Sequence, residues 1–204
     1  MMEHKGFTLW FTGLSGAGKS AIADDVAKIL IHRGMKVERL DGDIVRKSLT
    51  RDLGFTKEDR DKNIERVTFV AKVLSRNGVA TLVSFISPYI EKRDAARKET
   101  TNFIEVFVKC SLEVLVERDV KGLYKKALKG EIENFTGVSD PYEDPPHPEI
   151  VCETDKETLE ESVKKVMNYL EENGFAPTSL EDVEKITKDD EDEIKKRLEM
   201  LGYL

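Results

Sequence analysis

Short apolar runs rich in β-branched and aromatic residues alternate along this chain with longer stretches whose apolar positions recur every three or four residues. Residues 7–12 read as a buried strand, and 19–33 as an amphipathic helix closed by Gly34. Residues 36–40 read as a second strand, and 59–77 as a helix closed by Gly78. A third, strongly apolar strand over 79–86 is stopped by Ser87-Pro88. Helix 89–101, strand 103–109 and helix 111–118 continue the rhythm, and a short strand at 150–153 precedes a helix over 156–173. That last helix carries Leu159, Val163, Val166, Met167 and Leu170 on one face. Such alternation predicts an α/β fold, a mostly parallel sheet with helices on both faces.

Residues 119–148 break the pattern. They hold four of the six prolines and a cluster of lysines without a sustained period. A connection of that length inside a compact domain is usually functional, so a lid over about 120–148 is expected. After Gly174 the character changes again. Leu180, Val183 and Ile186, then Ile194, Leu198 and Leu201, lie at helical spacing around an acidic stretch. The expected organisation is one domain over 1–175 and a helical appendage over 176–204, docked either on this domain or on a partner.

Composition narrows the function classes. Hydrophobic residues make up 39% of 204, enough for one packed domain. The formal net charge of -7 argues against sequence-independent binding of nucleic acid, which draws on a basic surplus. Cys110 and Cys152 have neither metal-ligand spacing nor a disulfide framework, which points to a reducing compartment. No apolar run approaches ~20 residues, so no membrane helix is expected. Residues 1–6 lack the apolar core of a signal peptide, and a cytoplasmic protein is expected.

The chemistry begins at Gly13-Leu14-Ser15-Gly16-Ala17-Gly18-Lys19-Ser20, which fits G-x-x-x-x-G-K-S/T. Small residues let backbone N–H groups turn inward onto phosphate oxygens. In such a loop Lys19 reaches the β- and γ-phosphates of ATP, and the Ser20 hydroxyl ligates Mg²⁺. The loop follows an apolar strand and opens an amphipathic helix, the context the motif requires. It does not by itself separate switches, motors and kinases. No N-K-x-D string occurs and no D-x-x-G follows the third strand, which weighs against a GTPase switch. The size and the lysine-rich lid favour a small-molecule kinase.

Asp41-Gly42-Asp43 follows the second strand, where ligands bind in doubly wound sheets. A kinase needs a carboxylate there to orient or deprotonate the attacking hydroxyl, or to hold Mg²⁺ through water. A plain Asp-Gly turn with a helix cap fits the same residues. Beyond this point, longer strings are informative. Asp41 to Arg46, Asp52-Leu53-Gly54-Phe55, Asp59-Arg60-x-x-Asn63-Ile64 and Phe85-Ile86-Ser87-Pro88-Tyr89 resemble the adenylyl-sulfate kinase family. So do Lys121 to Ala127, Gly130-Glu131-Ile132, Phe135-Thr136-Gly137 and Pro141-Tyr142-Glu143. The matches run in family order over about residues 7–173.

The resemblance implies a three-layer sandwich of the P-loop NTPase type. It implies transfer of the γ-phosphate of ATP, with Mg²⁺, to the ribose 3'-hydroxyl of adenylyl sulfate. Asp43 is the expected catalytic carboxylate, with Asp41 beside it for the metal or its waters. Arg46 and Arg60 supply bidentate cations for phosphate or sulfate, and Asn63, one turn on, adds a directional contact. Phe55 and Phe135 correspond to the aromatics that sandwich the adenine. Ile86, Leu123 and Thr136 join them as substrate contacts, and Lys121 heads the lid string. Ser87 is a substrate contact that a phosphoserine route would make covalent; direct in-line transfer is the simpler alternative. Arg93 and Arg97 lie four apart and either reach ATP or form a solvated face. Lys125 and Lys126 either steer anions or solvate the lid.

The family is commonly homodimeric and often acts beside ATP sulfurylase, a partner on which the tail could dock. Departures from its usual pattern are Ala21, Ile44, Lys109-Cys110-Ser111 and Leu128. Ile44 removes a polar contact and leaves open an altered acceptor, or a regulatory subunit that binds nucleotide without turnover. If the tail is a docked appendage, removing residues 177–204 is expected to leave phosphotransfer largely intact. An unfolded truncation product, seen by circular dichroism, would overturn that view.

Overall fold

The computed structural model describes residues 5–177. Five strands form one sheet: β1 (Phe7–Thr12), β2 (Val37–Asp41), β3 (Ala80–Ser84), β4 (Phe103–Lys109) and β5 (Ile150–Glu153). Their order is β2-β3-β1-β4-β5, and every pair is parallel, where a mostly parallel sheet was expected. All five carboxyl ends therefore meet one edge.

Every residue of the central strand β1 is buried, because helices cover both faces of the sheet. Phe7, Leu9 and Phe11 point into a core shared with α1 (Lys19–His32) and with α7 (Leu159–Glu172). Trp10 points the other way, into a core shared with α3 (Lys57–Arg76) and with α4 (Ile90–Glu99). The result is the three-layer sandwich that the alternating pattern predicts.

Local chemistry sets the element ends. The Thr56 hydroxyl accepts from the Asp59 N–H at the start of α3. Thr158 and Glu161 form a reciprocal capping box, which starts α7 at Leu159 rather than at 156. Strand β3 stops at Ser84, two residues short of the expected end. There Ser87 adopts a left-handed backbone with φ 41°, and the Thr12 hydroxyl takes the Ile86 carbonyl at 2.8 Å. At Gly13 the chain passes so close to β4 that a Cβ would lie 2.2 Å from the Val108 carbonyl oxygen.

Three short helices complete the fold: α2 (Gly42–Val45), α5 (Leu112–Arg118) and α6 (Leu123–Leu128). Helix α2 is capped by the Asp41 side chain, the helix-cap alternative for Asp41-Gly42-Asp43. Helix α6 lies in residues 119–148, where no sustained period was visible. The Asp119 carboxylate accepts from the Tyr124 and Lys125 N–H groups and nucleates that turn, too short for a period to register. The rest of residues 119–148 is irregular, with one bridge between Thr136 and Asp140. The appendage expected over 176–204 lies, except for Ala176 and Pro177, outside the described residues. Among the described residues no helix is long and apolar enough to cross a membrane.

Leu170 on α7 is fully buried in the α1 side of the core. Leu170→Ala is expected to cost about 2–5 kcal/mol of stability, seen as a lower urea midpoint at unchanged slope. A loss below about 1 kcal/mol would show that α7 does not unfold with the sheet.

Candidate active site

The sheet edge gathers the phosphate loop, after β1, and the Asp41–Asp43 segment, after β2. Lys19 lies in the first turn of α1, and its ammonium donates to the carbonyls of Gly13 at 2.9 Å and Leu14 at 2.7 Å. Burial, and then the Lys121 cation, pull its pKa down to about 7 against the opposing pull of Asp41 and Asp43. A lysine so desolvated gains from an incoming anion.

Asp41 serves both readings of its sequence at once. One oxygen caps α2 by accepting the Asp43 N–H at 2.9 Å, and the other accepts the Ser20 hydroxyl at 2.6 Å. A hydroxyl and a fixed carboxylate sharing one proton at a phosphate loop are hard oxygen donors that suit Mg²⁺. Among the described residues there is no cluster of three or more His, Cys, Asp or Glu side chains able to hold a metal without substrate oxygens. Sequence reasoning missed Arg39, which stands behind this pair. It is buried on β2, pairs with Asp24 on α1, and lies 3.5 Å from Asp41. A charged residue inside a strand carries no motif, and only its alternation with Leu40 signals that it faces α1.

Asp43, on α2, is largely exposed and forms an ion pair with Lys121 at the start of the lid. The structure thus brings the expected catalytic carboxylate and the lid lysine into contact. Leu123, half-buried at the head of α6, lines a small recess with Ser15, Gly16 and Lys121.

The residues expected on the acceptor side form a linked set. The Arg46 guanidinium lies 4.3 Å from the centre of the Phe55 ring and donates to the Gly54 carbonyl. Burial, and then the Arg60 cation, pull Arg46 below its ordinary value, as expected of two cations facing one space. Arg60 is buried on α3 and donates through Nε to the Phe55 carbonyl at 2.9 Å. Its other nitrogens donate to the Thr136 hydroxyl and the Asn134 carbonyl, so one guanidinium joins the Phe55 and Phe135 segments. Asn63 follows at one turn. Its side-chain oxygen is buried without a partner, an unmet acceptor in the same wall. Phe55 is 59% exposed, with a face open to a planar group, whereas Phe135 is half-buried and packs edge-on to Tyr124 at 5.1 Å.

Other expectations fare differently. Ser87 is buried; its hydroxyl accepts from the Trp10 indole at 3.0 Å and donates to the Phe85 carbonyl. Ile86 contributes its carbonyl to Thr12, and its half-buried side chain borders the same loop. Arg93 is buried against Glu105 and the Ser87 carbonyl, and Arg97 pairs with Glu149. Both arginines therefore brace the β3–α4 loop and the β5 edge instead of meeting a phosphate or forming a solvated face. Lys125 and Lys126 are exposed. A cleft of about 320 Å³ beside Leu14, walled by Lys109, Cys110, Tyr142, Asp155 and Lys156, was not foreseen. Its residues come from separate segments, and the strings around Lys109-Cys110-Ser111 and Tyr142 gave no sign that they share a cleft.

The model of the adenylylsulphate kinase family matches residues 5–153. A probable adenylyl-sulfate kinase of Pseudomonas aeruginosa is 67% identical over 167 residues, 82% of this chain and 78% of that protein. The adenylyl-sulfate kinase of Halothermothrix orenii is 61% identical over 175 residues, 86% of this chain and 95% of that one. Among solved structures, the Mycobacterium tuberculosis APS kinase CysC in complex with AMPPNP and APS superposes with a TM-score of 0.79 at 42% identity. That match covers 82% of this chain and 99% of the other. With the family model matching well over half of its residues, and with a sheet edge that unites the phosphate loop, the paired carboxylates and the guanidinium-lined pocket, this chain belongs to the adenylylsulphate kinase family.

Proposed function

We propose that this protein transfers the γ-phosphate of ATP to the ribose 3'-hydroxyl of adenylyl sulfate, giving 3'-phosphoadenylyl sulfate and ADP. One observation carries the reading of the site. Asp43, the exposed carboxylate of Asp41-Gly42-Asp43, is tied to Asp41 through its N–H, and its charge bears on both Lys19 and Arg46.

On the donor side, the phosphate loop from Gly13 to Gly18 wraps the β- and γ-phosphates, and the cleft beside Leu14 takes the purine. Lys19 leaves its two loop carbonyls for phosphate oxygens, which stabilise its charged form. Ser20 and Asp41 would hold Mg²⁺, which offsets the charge of the triphosphate when bound. On the acceptor side, Arg46 and Arg60 bind the phosphate–sulfate anhydride, with Asn63 accepting a hydrogen bond from the substrate. Phe55 and Phe135 flank the adenine, and Thr136 keeps Arg60 in place.

Transfer then needs little covalent chemistry from the protein. The 3'-oxygen forms a bond to the γ-phosphorus as the bond from that phosphorus to the β-bridging oxygen breaks, and the hydroxyl proton passes to Asp43. Lys121 holds the carboxylate against the lid and stands beside the charge that the transferring group carries. Ser87 takes no part in this route. A phosphoryl group there would displace the Trp10 and Phe85 contacts and be buried without a cation of its own.

The test is release of ADP from Mg-ATP with and without micromolar adenylyl sulfate. Asp43→Ala is expected to lower kcat by about 10²–10⁴-fold while leaving ADP affinity nearly unchanged. Turnover near the wild-type rate would make Asp43 structural, and ATP binding without turnover would favour a changed acceptor.

Lys19 supplies a pH test. Its folded pKa of about 7 lies below the ordinary 10.5, so folding disfavours its charged form. That penalty is fully present below pH 7 and fades as pH rises towards 10.5. Lys19→Met is therefore expected to raise the melting temperature of the nucleotide-free protein most near pH 6.5, with the gain shrinking by pH 9.5. A gain that grows with pH would mean that the ammonium is stabilised, not strained, by its carbonyl partners.

A further inference from the structure

Two hydroxyls from outside the phosphate loop hold carbonyls within it. Tyr124, on the lid helix α6, is 2% exposed and donates to the Ser15 carbonyl at 2.8 Å. Thr154, just past β5, donates to the Ala17 carbonyl at 2.8 Å. Its next oxygen contact, the Lys109 carbonyl, is at 3.4 Å, so its single proton belongs to the nearer acceptor. A trans peptide is planar, with C=O and N–H on opposite edges. Tying the Ser15 oxygen to the lid helix therefore turns the Gly16 N–H away from that helix. Tying the Ala17 oxygen to Thr154 does the same for the Gly18 N–H.

These are the groups a phosphate cradle uses, and glycine is the residue whose peptide turns over with least steric resistance. A peptide turned over would present a carbonyl oxygen to phosphate in place of a donor. We propose that Tyr124 and Thr154 are positioning residues of the phosphate loop, locking the Ser15–Gly16 and Ala17–Gly18 peptide planes with their N–H groups towards the nucleotide phosphates. Tyr124 has a second contact that matters: its ring meets Phe135 edge-on at 5.1 Å, so the lock on the donor loop is packed against the acceptor wall. Burial pushes its phenol up to about 12, so the hydroxyl remains a donor throughout the working pH range. Neither residue touches a reacting atom. The inference rests on the reading of the loop as the ATP site.

The experiment is isothermal titration of the full chain with Mg-ADP and, separately, with adenylyl sulfate, for wild type, Tyr124→Phe, Thr154→Val and Thr154→Ser. Tyr124→Phe and Thr154→Val are expected to weaken ADP about 5–20-fold, the effect of one hydrogen bond, with Thr154→Ser close to wild type. In turnover, KM for ATP should rise more than kcat falls, and the Gly16 and Gly18 amide resonances should move less on ADP addition than in wild type. Thr154→Val leaves adenylyl sulfate affinity unchanged on this view. Equal ADP affinity in Thr154→Val, Thr154→Ser and wild type would overturn the role of Thr154. A lower melting temperature with unchanged ADP affinity in Tyr124→Phe would overturn that of Tyr124. Failure of the wild-type protein to bind ADP would instead remove the reading of the loop itself.

Discussion

The close passage of Gly13 against β4 is the constraint on which the donor side depends. The chain leaves β1 at φ 144° and runs so near the Val108 carbonyl that no side chain fits between them. Only by that route can the loop turn back over the strand ends and enter α1 with Lys19 in its first turn. Everything else at the edge is arranged against a loop already in place. Ser20 reaches Asp41, Tyr124 and Thr154 reach the outer carbonyls, and Lys19 folds inward. A Cβ at Gly13 would move all four contacts together.

The charges are layered rather than scattered. Arg39 lies behind Asp41, Asp41 behind Ser20, and Lys19 in front, so sign alternates from the sheet outward to where a triphosphate would lie. Across the edge, burial and then the Arg60 cation hold Arg46 below its ordinary value, a cost that a bound anion would relieve. The Asp43–Lys121 ion pair ties the segment after α5 to α2 at the end of β2.

How much of this was legible depended on whether a residue's role is written in its neighbours along the chain. The strands, the loop and the major helices follow from periodicity and glycine placement, because burial on both faces of a parallel sheet leaves long apolar runs. The linked residues from Arg46 to Phe135 were picked out through strings specific to one family. The misses have physical causes. Helix α6 is one and a half turns nucleated by a single carboxylate. Arg39 is a strand charge that belongs to no motif, and Thr154 and Tyr124 bond backbone atoms more than a hundred residues away. Arg93 and Arg97 show the converse, since spacing placed them on one face of α4 but their partners lie on β4 and just before β5.

The indole of Trp10, buried at the centre of the sheet and bonded to Ser87, has a use apart from catalysis. It is the only tryptophan among 204 residues. The protein thus contains a single indole fluorophore, shielded from water and hydrogen-bonded to the loop that follows β3. Excited on the red side of tyrosine absorption, its emission reports the packing around that one indole, with no introduced dye and no second indole to subtract.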